Sequence, residues 1–229
     1  MRRFVAAAAA LFVLFVLLAV LVSPGSCCNT GVPSPVQHSD RSMFLQLNEP
    51  HYGILNSLML LATAYGREVV WPAAGILLFV FGGRQGRIAA VTMGLLMIAL
   101  IPIGTVAKEI VGRPRPAIPA DDFVIAPDNS FSFPSGHALL VSAGATVLLA
   151  LYRGTPRQTV ISIAMTAEAG VVCLSRVYLG AHTPLDVAGG IMLGVAVALL
   201  FVSVAGKLDK VLVTPISDSF ERTFGRLAK

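Results

Sequence analysis

Six long apolar runs, separated by short polar clusters, leave this chain little to form other than a bundle of helices in a bilayer. A segment crosses the hydrocarbon core with about 20 predominantly apolar residues, and the runs fall near 4–22, 68–82, 88–107, 135–151, 159–179 and 184–204. Of the 229 residues, 55% are hydrophobic and 13% charged, too few polar groups to clothe a water-soluble domain. Spans and loops consume the chain. One membrane domain is therefore expected, with 206–229 as a cytoplasmic tail.

The first run follows Met1-Arg2-Arg3 and exceeds the roughly 7 to 15 residues of a signal-peptide core, which favours a retained span. Residues 23–50 shift to Ser, Pro, Asn and Gln and read as an external loop, in which Met43, Phe44 and Leu47 at helical spacing suggest a short helix on the bilayer surface. Residues 54–65 are apolar but short, and Gly66-Arg67-Glu68 interrupts them before the pattern resumes at 69–81. One long tilted helix would fit, but a surface helix followed by a separate span is the expectation here. Tyr65 and Trp71 near the interruption suit an interfacial aromatic belt or ordinary packing equally. Residues 117–133 have no helical period and read as a loop returning to the same face. Thr183 reads as an N-cap with Pro184 at the first helical position, and Gly190 with Gly194 has the small-xxx-small spacing of close helix packing. In the tail, Ile216, Phe220, Phe224 and Leu227 would line one face of an interfacial helix.

With the amino terminus inside, six spans place Arg2, Arg3, Arg84, Arg87, Arg153, Arg157, Lys207, Lys210, Arg222, Arg226 and Lys229 on one face, most of the 17 cations. Lys and Arg accumulate on the cytoplasmic side, so the other face is extracytoplasmic. The net charge of +5 is thus read as topology, and no nucleic-acid motif accompanies it. Cys27 and Cys28 are adjacent and Cys173 lies in an apolar run, which gives no disulfide framework.

Three polar clusters sit at span ends on the extracytoplasmic face: Lys108-Glu109-Ile110-Val111-Gly112-Arg113-Pro114-Arg115-Pro116, Phe133-Pro134-Ser135-Gly136-His137, and the stretch from Ser175-Arg176 to His182-Thr183-Pro184-Leu185-Asp186. Their cations, histidines and carboxylate fit chemistry on a phosphate. Phosphoryl transfer is promoted mainly by positioning and by neutralising the equatorial oxygens, which Lys108, Arg115 and Arg176 are suited to do, the arginines through a planar fork. Ser135 and Gly136 open a span, where free backbone N–H groups and the helix dipole favour an anion. His182 is the candidate nucleophile, with Asp186 near enough to hold its other ring N–H. No Cys or His cluster suggests zinc and no carboxylate group has magnesium spacing, so no metal and no cofactor is expected. Arg113 lies beside these positions as a supporting cation. Glu168, an ionisable residue inside a span, is costly there and functional or paired by default; seven residues before Ser175, it is a candidate for positioning the site. His38 and His51 read as interfacial polar residues.

Lys108-x6-Arg115-Pro116, Pro134-Ser135-Gly136-His137 and Ser175-Arg176-x5-His182-x3-Asp186 together resemble the three-part signature of the type 2 phosphatidic acid phosphatase family, in order and without substitution at the defining positions. The resemblance implies an all-α, six-helix integral membrane phosphatase in the cell membrane. It implies a phosphohistidine intermediate on His182, and His137 as general acid for the leaving oxygen and then base for the attacking water.

A lipid phosphate is the expected partner, since its tail can stay in the bilayer while its phosphate reaches Arg115 and Arg176. Polyprenyl diphosphate is slightly favoured over phosphatidate and phosphatidylglycerol phosphate, because the excess of cations suits a double phosphate; Asp121, Asp122 and Asp128 partly offset that excess. A vanadate-dependent haloperoxidase could use the same cations and histidines, but such proteins are normally soluble. A transport or structural protein that kept the fold would be expected to lose a histidine or motif cation, and none is missing.

Overall fold

The computed structural model describes residues 2–24, 35–48, 53–116 and 129–216. Cys27, Cys28, His51, Asp121, Asp122, Asp128 and the tail beyond Ile216 lie outside the described residues, as does most of the loop at 117–133.

Among the described residues seven helices follow one another: α1 (Arg2–Val22), α2 (Pro35–Asn48), α3 (Gly53–Phe81), α4 (Gly83–Val111), α5 (Gly136–Leu151), α6 (Pro156–Tyr178) and α7 (Pro184–Ile216). No strand occurs among the described residues. Five of the helices, α1, α3, α4, α6 and α7, are long and apolar enough to cross a membrane, and the apolar 16-residue α5 makes six in the bundle. The chain is thus an all-α, multi-pass membrane protein.

The polar triplet Gly66-Arg67-Glu68 does not divide a surface helix from a span. The helix runs without a break from Gly53 to Phe81, with Gly66–Val70 wound as one wide π turn. Two of the three residues face polar neighbours inside the protein, Arg67 against His137 and Gly66 against Glu168, while Glu68 is exposed and pairs with Arg67. Pro72, which has no N–H to return to the preceding turn, follows directly. Trp71 takes the packing alternative: it is wholly buried and its indole N–H donates to Glu168 Oε2 at 2.8 Å. At the carboxyl end α7 continues through Lys207 to Ile216, well past 204, and Arg84 in the first turn of α4 pairs with Asp209 at 2.7 Å.

α5 and α7 form the most extensive contact in the bundle, and α1, α4 and α6 pack around them. Glycines permit it. A Cβ on Gly194 would lie 2.3 Å from the Leu139 carbonyl oxygen, and one on Gly190 would lie 2.5 Å from that of Ser135, so α7 rests directly on the α5 backbone. Gly144 lets the Trp71 ring lie flat against α5 in the same way, its Cβ position being 2.3 Å from the indole. Such close approach substitutes for the hydrophobic drive that is missing between helices in lipid.

Because the atom met at Gly194 is backbone and cannot swing aside, Gly194→Ala should destabilise the protein by about 1 to 3 kcal/mol through overpacking. Gly170→Ala, with nothing within 4 Å, should leave it unchanged or slightly improved. Thermal unfolding in detergent reads both, and equal midpoints for the two variants would contradict this packing.

Candidate active site

The three polar clusters meet at one end of the bundle, held together first by backbone. Ser132 N–H donates to the Arg113 carbonyl at 2.8 Å and Ser135 N–H to that of Asp186 at 2.9 Å, which ties the α4 exit, the α5 entry and the α7 entry into one knot. α6 ends in a turn that folds back on itself. Ala181 and His182 N–H both donate to the Arg176 carbonyl at 3.1 Å, a reversal that Gly180 allows with φ of 77°.

Asp186 is at the centre of the knot. Thr183 caps α7 and forms a capping box with it: Thr183 Oγ1 accepts from the Asp186 N–H at 3.4 Å, and Asp186 Oδ2 accepts from the Thr183 N–H at 2.9 Å. The same carboxylate accepts from Arg113 Nη1 at 2.6 Å and from the Ser132 hydroxyl. Arg113 therefore does more than support the cluster; it clamps two acidic residues. Its other nitrogen donates to Asp40 Oδ2 at 2.7 Å, and Asp40 Oδ1 accepts the Leu185 N–H at 2.9 Å. Burial works against the Arg113 charge, but Asp186 and Asp40 outweigh it and raise its pKa.

His182 lies beside this clamp, only 2% exposed. Its Nδ1 is 3.7 Å from Asp186 Oδ2 and has no nearer hydrogen-bond partner among the described residues; its Nε2 lies 3.3 Å from Arg115 Nη1. Burial lowers its pKa to about 4, with Asp186 opposing and Arg176 and Arg115 reinforcing the shift. The imidazole is neutral at neutral pH.

The cations converge from separate helices. Lys108 Nζ donates to Ser130 Oγ at 2.9 Å, and Arg115 reaches the same hydroxyl at 3.0 Å and the Ala181 carbonyl at 2.8 Å. Arg176, buried, donates to Thr63 Oγ1 of α3 and acts electrostatically on both His137 and His182. Ser135 precedes the first turn of α5; its buried hydroxyl has no hydrogen-bond partner among the described residues, and Gly136 leaves the adjoining backbone open. Arg67 Nη1 stands 3.5 Å from His137 Nδ1. Cations around a neutral imidazole with a carboxylate behind it can hold an oxyanion and support attack on it. Among the described residues no group of three or more His, Cys, Asp or Glu is placed to hold a metal.

Asp40, Arg67, Ser130, Ser132 and Thr63 were not anticipated. Asp40 carried a signal, since Asp40, Phe44 and Asn48 recur every fourth residue and are the buried stripe of α2, while Met43 and Leu47 are exposed. Arg67 carried another, as a cation in a long apolar stretch. Glu168 stands apart from the knot, accepting from Trp71 and abutting Gly66. His38 is exposed on α2.

Asp40→Ala would leave Arg113 paired with Asp186 alone and the Leu185 N–H without its acceptor, a loss of hydrogen bonds that should cost about 1 to 3 kcal/mol. The variant should unfold at lower temperature in detergent, and Asp40→Asn, which keeps an acceptor for Leu185, should lose less. Indistinguishable midpoints for wild type and Asp40→Ala would remove Asp40 from this account.

A family model for the PAP2 superfamily matches residues 85–210. The undecaprenyl-diphosphatase of Sulfolobus acidocaldarius is 34% identical over 173 residues, which are 74% of this chain and 81% of that protein. Phosphatidylglycerophosphatase B of Bacillus subtilis is 37% identical over 130 residues, 52% of this chain and 59% of that one. The crystal structure of a transmembrane PAP2-type phosphatidylglycerolphosphate phosphatase from Bacillus subtilis superposes with a TM-score of 0.67, covering 89% of this chain and 98% of that chain at 24% identity, a likeness of fold. The matched segment runs from the start of α4 into α7 and contains all three polar clusters, so the chain belongs to the PAP2 superfamily and is a membrane phosphatase.

Proposed function

We propose that the protein hydrolyses a lipid phosphate or diphosphate, by transfer of the phosphoryl group to His182, at a site facing away from the cytoplasm. The observation that carries this is the setting of His182, a buried neutral imidazole with a carboxylate 3.7 Å behind one nitrogen and a guanidinium 3.3 Å from the other. Asp186 can only accept a hydrogen bond, which favours the tautomer with the proton on Nδ1 and leaves the Nε2 lone pair toward the cations. Nε2 attacks phosphorus, the bond to the leaving oxygen breaks, and His137 protonates that oxygen. A water then attacks the phosphohistidine and gives its proton to His137, releasing inorganic phosphate and restoring His182. Lys108, Arg115, Arg176, the Ser135 hydroxyl and the Gly136 end of α5 bind the phosphate oxygens. No step calls on a metal.

Topology is supported by charge. Arg84, Arg87, Arg153, Arg157, Lys207 and Lys210 lie at or near the ends of α3, α4, α5, α6 and α7 away from the polar knot, the arrangement of a cytoplasmic face. A lipid substrate is supported by the names of the relatives, one an undecaprenyl-diphosphatase and another a phosphatidylglycerophosphatase. Polyprenyl diphosphate is preferred because the cations gathered at the site, Lys108, Arg115 and Arg176, suit a double phosphate; Arg67, near His137, is paired with Glu68.

Released phosphate, measured on an isoprenoid diphosphate and on phosphatidate of matched chain length, tests the reading. The higher kcat/KM should belong to the diphosphate, and a higher value for phosphatidate would reverse the preference alone. His182→Ala should release phosphate from neither; near wild-type turnover by this variant would remove the nucleophile. His137→Ala should be slower by roughly 10² to 10⁴, and less so with a good leaving group.

The low pKa of His182 sets an acid limit. The attacking form is the neutral one, fully present well above pH 4 and lost as pH falls through about 4. After allowance for the substrate's own ionisation, kcat/KM should hold from pH 7 to pH 5 and fall only below. A limb at the ordinary imidazole value of about 6.5 would mean that His182 is not shielded as the structure has it.

A further inference from the structure

α1 packs along α7 but meets α4 at few points, and between α1 and α4 lies an apolar groove of about 580 Å³ with Leu193 of α7 at its floor. Its walls run from Phe12 to Ser23 on α1 and from Pro102 to Val111 on α4. At about 1.5 Å per residue, the α1 wall is roughly 16 Å long, close to half of the roughly 30 Å hydrocarbon core. The groove is therefore one leaflet deep.

The leaflet is the one on the side of the polar knot. Val22 and Val111 end their helices there, Ser23 Oγ donates to the Val111 carbonyl at 3.2 Å across the mouth of the groove, and Arg113 follows two residues on. The inner wall is shared with the site. Phe15, which lines the groove, stacks on Phe133 with ring centroids 5.6 Å apart, and Phe133 stands between Ser132, bound to Asp186, and Pro134-Ser135 at the α5 entry. The Phe15–Phe133 pair thus joins the groove wall to the segment that holds Asp186.

We infer that the groove between α1 and α4 receives the isoprenoid tail of the substrate, the segment nearest its phosphate. The inference rests on the lipid phosphatase reading above. A chain whose phosphate is held by Arg115 must leave the site into the bilayer, and this groove begins beside that arginine's own segment and descends through one leaflet. A single groove takes a single chain, as an isoprenoid diphosphate has. Phosphatidate would leave its second acyl chain outside. Each methylene that the groove removes from water adds about fourfold to affinity relative to a soluble phosphate ester.

Ala19 and Ala107 line the two walls, so Ala19→Trp and Ala107→Trp fill the groove without touching a residue of the phosphate site. For the full chain in detergent, each should raise KM for farnesyl diphosphate at least tenfold while leaving kcat/KM for isopentenyl diphosphate within twofold; Leu61→Trp, on the exposed face of α3, should change neither. An unchanged dependence on chain length would overturn the proposal, and so would an equal loss on both substrates.

A second measurement does not depend on turnover. A diazirine-bearing farnesyl diphosphate, photolysed with the wild-type protein, should label 12–23 and 102–111, and unlabelled farnesyl diphosphate should compete. Label elsewhere, label that competitor does not remove (bulk lipid contact only), or equal competition by phosphatidate would each overturn it. Absence of phosphate release from every substrate would instead sink the phosphatase reading, while competed labelling in the groove would still establish the tail site.

Discussion

A carboxylate withdrawn wholly from water, Asp186, is the constraint on which the rest of the site depends. Desolvating such a charge costs several kcal/mol unless hydrogen bonds and countercharge replace the water. The replacement comes from three separate segments: Arg113 after α4, Ser132 before α5, and the Thr183 cap of α7. Satisfying one anion therefore fixes the entry and exit of three helices. Arg113 carries one positive charge between two carboxylates, Asp40 and Asp186, so the clamp is net negative on the side that faces His182 Nδ1. On the opposite side, Arg176 and Arg115 add to the burial that keeps the imidazole neutral. Phosphate arriving among those cations would cancel part of their field, and the negative clamp would then favour the imidazolium that attack produces. The ring is thus poised between two fields of opposite sign.

Much of the architecture was legible because its cause is local. Apolar runs, the Thr183-Pro184 helix start, and histidines, cations and carboxylate at short fixed spacings are features of contiguous sequence. They indicate a membrane bundle with three polar corners, and the structure does bring the corners together. What was not legible depends on residues far apart. Asp40 meets Arg113 across 73 positions and Thr63 meets Arg176 across 113, and no spacing rule links them. α2 illustrates the difficulty: Met43, Phe44 and Leu47 at helical spacing suggest a surface helix, whereas the face it buries carries Asp40 and Asn48 beside Phe44. In lipid the informative residue is the polar one, since it must be answered inside the protein.

The break expected at Gly66-Arg67-Glu68 has the same origin. Polar residues between apolar stretches ordinarily mark a return to solvent. Here Arg67 and Gly66 turn inward, toward His137 and Glu168, Glu68 stays exposed beside Arg67, and the helix continues past all three. α7 too runs through charged residues, Lys207 and Lys210, without stopping, and it too contains a π turn, Asp209–Val213, which holds Lys210.

A π turn inserts one residue into a helix, and each residue of an α-helix advances about 100° around the axis. The turn at Gly66–Val70 therefore rotates the two halves of α3 relative to one another. The half before it presents Thr63 to Arg176, and the half after it seats Trp71 on Gly144 and buries Leu78. A single uninterrupted α-helix could not hold both registers. The length of this segment is consequently under tighter constraint than its composition: loss of one residue from the turn would leave every side chain chemically intact and yet swing the tryptophan out of its seat or the polar face away from the site. α3 acts as a mechanical coupling with a fixed phase angle between the apolar core and the phosphate-binding end.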